Sequence, residues 1–180
     1  MPKRIHIPAV EEWDPVNEVF INSKEQDITI EHSLVSISKW ESKWHKAFLA
    51  KNDKTAEEIV DYIRCMTITQ NVDPAIYRNL PQSTVEEINA YIDDPSTATH
   101  FYEDKKRTGP KDTVTSELIY YWMINFGIPF ECEKWHLNRL LALIQVCSVK
   151  NSSSKMSRGD IMRRNKALNE ARRKSHKTKG

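Results

Sequence analysis

The sequence predicts a mainly α domain with a small N-terminal antiparallel β element and a basic C-terminal helix. Three observations lead there. Apolar residues between 33 and 150 recur at steps of three and four, the helical period. Residues 4–31 instead alternate with period two in short β-branched runs. Lysine and arginine then crowd the last thirty residues, where almost nothing apolar is left to bury. At 180 residues the chain is long enough for one domain with a real core.

The strands come first. Ile5 and Ile7 alternate with Arg4 and His6, Val19-Phe20-Ile21 is β-branched and aromatic, and Asp27-Ile28-Thr29-Ile30-Glu31 alternates cleanly. Turn chemistry lies between them at Asp14-Pro15 and Asn22-Ser23-Lys24. The period then changes. Ile37, Trp40, Trp44 and Phe48 make one helical stripe, with Lys39, Ser42, Lys43 and Lys46 on the opposite face. Thr55-Ala56-Glu57-Glu58 matches a capping box and opens a helix over 55–67, with Ile59, Ile63 and Met66 inward. Asp73-Pro74 begins a short turn. Ser83-Thr84-Val85-Glu86 is a second capping-box match, and its helix stops at Asp94-Pro95. Residues 103–112 (EDKKRTGPKD) read as a charged loop.

Residues 115–126 are apolar over most of a helical circumference, Gly127-Ile128-Pro129 breaks the chain, and 131–148 is a second long apolar helix. Helices apolar nearly all round are buried on several sides, so these two are expected to form an αα-hairpin at 115–148. The predicted organisation is a β element (1–32), a helical core (33–150), a linker (151–156) and a basic helix or tail (157–180).

Composition excludes several functions. Only four glycines occur, at 109, 127, 159 and 180, so neither a P-loop nor a dinucleotide fingerprint can be written. Cys65, Cys132 and Cys147 form no CxxC and read as buried reduced thiols of a cytosolic protein. Cys132 and His136 share a helical face beside Glu131 and Glu133, but no second Cys/His pair completes a metal site, and no metal or cofactor is expected. The six histidines are scattered without a nucleophile motif, so no catalytic residue and no enzyme is predicted. No apolar segment is long enough for a signal peptide or a membrane span.

Two groups of residues point to binding instead. Trp40, Trp44, Tyr120, Tyr121, Trp135, His136 and Arg139 line the apolar helices; they serve as core or as a groove for a partner helix. Arg139, inside an apolar helix, is expected to be buried against a carboxylate. The second group is basic. Residues 151–180 hold ten Lys or Arg and two acids, a charge of +8, against −6 for residues 1–150. Arg158, Arg163, Arg164, Lys166, Arg172, Arg173 and Lys174 suit an acidic partner, another copy of the chain, or nucleic-acid phosphates.

The segment SELIYYWMINFGIPFECEKWHLNRLLALIQVC, followed by a polar linker and KMSRGDIMRRNKALNEARRK, resembles the tail assembly chaperones of bacteriophages with long non-contractile tails. The shared pattern is an aromatic helix, a Gly-Ile break, and a helix with Trp-His and Arg-Leu-Leu. Here these are Tyr120, Tyr121, Gly127, Ile128, Trp135, His136, Arg139, Leu140 and Leu141, and the resemblance spans 116–173. It implies a small helical factor of the host cytoplasm, without catalysis. Such a factor binds the tape measure protein, recruits tail tube subunits, and is absent from the finished virion. The alternatives are a minor structural or connector protein of the particle, and a nucleic-acid-binding protein acting through 151–180.

Overall fold

The computed structural model of the chain describes residues 2–14, 18–50, 53–77, 80–99 and 113–154, and beyond them 159, 162, 163, 165–167, 169 and 170. The chain divides into two compact units, residues 1–144 and 145–180. The first is mainly helical with antiparallel strands at its N-terminus.

Four strands, β1 (Lys3–Ile7), β2 (Val10–Asp14), β3 (Val19–Ser23) and β4 (Gln26–Ile30), pair as β1 with β4 and β2 with β3, both antiparallel. Ile7 faces Gln26 and Val10 faces Ser23, so two residues on each side interrupt the ladder and the register does not slip. Pro8 is one of them; without an N–H it cannot donate to the ladder. β2 went unforeseen, because Val10-Glu11-Glu12-Trp13-Asp14 lacks the β-branched alternation of its neighbours. On β4 the free edge is covered. Ile68 N–H donates to Thr29 O at 2.9 Å and Glu31 N–H to Met66 O at 2.8 Å.

The helices follow as α1 (Leu34–Trp44), α2 (Ala56–Met66), a 3-10 turn (Pro74–Tyr77), α3 (Gln82–Asp93), α4 (Ser116–Phe126), a 3-10 turn (Phe130–Lys134) and α5 (Leu137–Ser154). Thr55 and Glu58 form the expected capping box at α2. α1 has one too, built from Ser33 and Ser36, with a hydroxyl where a carboxylate is usual. The match at Ser83–Glu86 does not form. Pro81, its φ fixed by the ring, already caps α3 two residues earlier, and Thr84 turns into the core.

The β element shares its core with the helices and is not a separate layer of the chain. Ile5, Ile7, Ile28 and Ile30 are fully buried beside Leu34, Ile37, Met66, Ile88, Ile119 and Met123. α1 is the hub: α2, α4 and the 3-10 turn Phe130–Lys134 all lie against it. α1 stops at His45, which adopts left-handed backbone (φ 53°), so Phe48 lies beyond the helix and folds back to 4.0 Å from the Tyr62 ring.

Three expectations need correction. The 115–148 αα-hairpin is absent: residues 130–134 wind as a 3-10 turn, and the main packing partner of α4 is α1. The linker reading of 151–156 fails over 151–154, which continue α5, because serine and asparagine can extend a helix that packing has already nucleated. Ile59 is 46% exposed, and Tyr62 takes the inward place expected for it. The loop 103–112 lies outside the described residues. In the second unit α5 runs on to Ser154, and the described residues of 159–170 are helical and exposed.

Candidate functional site

α4 is held at both ends by specific bonds. Thr115 Oγ1 accepts from Leu118 N–H at 3.4 Å, and the buried Glu41 of α1 reaches across to accept from Ser116 N–H at 2.7 Å. Backbone N–H groups of the first turn, with Thr115, hold the Glu117 carboxyl below its usual range. At the other end Gly127 sits at φ 65°, a left-handed cap that glycine adopts without penalty, and Ile128 N–H closes on Met123 O at 2.9 Å.

Between these anchors the helix is apolar almost all round, yet only one stripe is buried: Ser116, Ile119 and Met123. On the outer side Tyr121 is 60% exposed and Ile124 65%. They are three residues apart and therefore neighbours on one face. Phe130, 54% exposed, lies near the same helix, its ring 6.3 Å from that of Tyr120. Tyr120 itself is half-buried and donates its hydroxyl to Glu133 at 2.8 Å. Burial and the Glu133 carboxylate both push the phenol pKa up.

The residues singled out from sequence do not form one surface. Trp40 is 1% exposed and donates its indole N–H to Glu58 O at 2.8 Å, which places it in the core. Trp44 is half-buried and donates to Asp61 at 2.9 Å. His136 is 2% exposed. Trp40 and His136 thus have no face to offer a partner. Arg139 is exposed, contrary to expectation, and stacks on half-buried Trp135 with its guanidinium 4.3 Å from the ring. A cation on an aromatic face keeps its water and needs no carboxylate. Of the seven, only Tyr121 and Arg139 are exposed, and Tyr121 is the one exposed aromatic. Ile124 and Phe130 were missed, although a helix apolar all round must expose something once a single neighbour covers it.

Of the basic set, Arg163 and Lys166 are exposed on helical backbone; Arg158, Arg164, Arg172, Arg173 and Lys174 lie outside the described residues.

Buried polar groups elsewhere are engaged in holding the fold. Glu58 binds Lys46 and the Thr55 N–H, and these bonds hold its carboxyl low. Burial raises the Asp61 pKa, but bonds from Lys43 and Trp44 outweigh it. His32 Nδ1 lies 2.6 Å from the Tyr62 hydroxyl, and burial together with His136 pulls its pKa down to about 4. An open cleft of about 360 Å³ lies between Glu41, His45, Lys46, Thr115 and Glu117, but Glu41 is committed to backbone and Lys46 to Glu58. Cys132 is buried, Cys65 and Cys147 are half-buried, and all three are free thiols. Among the described residues no three His, Cys, Asp or Glu side chains gather as metal ligands, and no helix is long and apolar enough to cross a membrane. Comparison with protein-family models, curated proteins and solved structures returned no match for this chain.

Proposed function

We propose that the protein is a non-catalytic tail assembly chaperone, acting in the host cytoplasm, that covers an apolar helix of the phage tape measure protein with the outer face of α4. The observation that carries this reading is the exposure of Tyr121 and Ile124 on a helix anchored at both ends. Exposed apolar neighbours on a rigid helix favour a partner helix laid alongside, which excludes water from both. The sequence pattern at Tyr120, Tyr121, Gly127, Trp135 and Arg139 agrees with that class. Recruitment of tail tube subunits belongs to the same reading.

The test is co-expression with the tape measure protein. The wild type should keep it soluble and co-purify with it, whereas Y121S/I124S, itself folded, should not. Purified virions should lack the protein. Stoichiometric presence in virions would instead favour a structural or connector role. Loss of all capture on nuclease treatment would favour nucleic-acid binding through 151–180.

A further inference from the structure

The N-terminal hairpin runs past the core it packs on. Because its register does not slip, alternation puts Trp13 and Phe20 on the face that carries Ile5, Ile7 and Ile28. The isoleucines are fully buried; Trp13 is 47% exposed and Phe20 61%. The two rings sit opposite each other across the strands, edge to face, with centroids 4.9 Å apart. The result is a small aromatic platform with water on it.

The paired strands 10–23 carry one sign of charge. Residues 10–23 contain Glu11, Glu12, Asp14 and Glu18 and no lysine or arginine. Glu11 and Glu18 are exposed. Aromatic faces within an acidic rim attract guanidinium and ammonium groups through both ring quadrupole and carboxylate. The chain uses this chemistry elsewhere, with Arg139 over Trp135 at 4.3 Å and Lys54 over Phe48 at 4.8 Å.

We propose that this hairpin tip receives the basic C-terminal stretch, residues 155–180, of a second copy of the chain. That stretch has ten Lys or Arg against two acids. Its described residues are all exposed, Met162 at 78%, and they present an apolar side chain among cations. Tip and stretch are complementary in charge and each has an exposed apolar group. Because donor and acceptor are different surfaces of the same chain, the contact is head-to-tail and builds rings or short filaments.

Sedimentation velocity on nuclease-treated full-length protein tests this, over about a hundredfold range of concentration at low and high salt. The wild type should associate with rising concentration, and high salt should weaken it. The tip reversal E11K/E18K and the tail reversal R163E/K166E should each raise the self-dissociation constant at least about tenfold. W13S/F20S should do the same without changing charge. Mixing the two reversed variants should restore association, because the altered tip now suits the altered tail. All these positions are exposed, and far-UV circular dichroism checks that each variant folds; should the tip variants not fold, the tail reversal decides alone. A wild type that stays monomeric at every concentration overturns the proposal. So does association that ignores the reversals, or a mixture that stays apart.

Discussion

His32 and His136 meet edge to face in the core, ring centroids 5.1 Å apart and each side chain 2% exposed. His32 lies just beyond β4 and His136 just before α5, and Leu137 N–H donates to His32 O at 2.9 Å beside them. His136 Nε2 lies 2.9 Å from Tyr91 O, so Nε2 carries a proton and donates, while buried Nδ1 has no hydrogen-bond partner among the described residues. Tyr62 from α2 and Tyr91 from α3 face the pair, with Glu31 and Asp94 nearby.

This joint makes stability depend on acid. Folded His32 holds its pKa near 4, while an unfolded histidine titrates near 6.5. Between those values the unfolded state binds a proton that the folded state refuses. Stability is therefore lost as pH falls from about 6.5 to about 4, by about 3 kcal/mol in all for this group. Urea midpoints at about pH 7 and about pH 5 should show about 2 kcal/mol of it. His32→Asn, less stable at neutral pH, should show a flatter decline over the same window.

Glu41 is a second long-range tie. Its carboxylate accepts from Phe48 N–H at 2.8 Å and from Ser116 N–H at 2.7 Å. Glu41→Gln replaces one acceptor with a donor that faces an N–H, and should cost about 1.5–3 kcal/mol. A melting temperature within a degree of wild type would contradict it.

The two sides of α4 should respond oppositely. Met123→Ala, at a fully buried site, should cost about 2–5 kcal/mol. Ile124→Ser, next to it in sequence but 65% exposed, should stay within about 0.5 kcal/mol of wild type and lose partner capture. Thermal melts and co-purification separate the two effects.

Trp40 and Arg139 divide in the same way. Trp40→Ala opens a cavity and leaves Glu58 O without its indole donor, so about 3–5 kcal/mol is expected. Arg139→Ala removes only an exposed stacking contact, and about 0.5–1 kcal/mol is expected. Equal losses in a denaturation series would put Arg139 back in the core.

Much of the fold was legible because its signals are local. The Thr55–Glu58 box, the Gly127 break and the isoleucine alternation each act within a few residues, and each appears where the sequence places it. What escaped depends on partners distant in the chain. Nothing near Ser116 announces that Glu41 will cap its helix, so α4 could not be assigned to α1. Trp40 and Tyr121 look alike as aromatic residues in apolar helices, and only packing makes one core and the other surface. Arg139 looked buried because its neighbours Leu140 and Ile144 are; a helix repeats every 3.6 residues, and one step around it reaches water.

The unslipped hairpin also fixes how this region can change in length. One residue added at Pro8-Ala9 alone inverts every side chain beyond it, turning Trp13 to the back of the ribbon while Ile5 and Ile7 stay in place. Matched additions at 8–9 and 24–25, two on each strand, lengthen the arm and leave its aromatic face unturned. The joint keeps count by parity, and length variants that preserve the tip come in even steps.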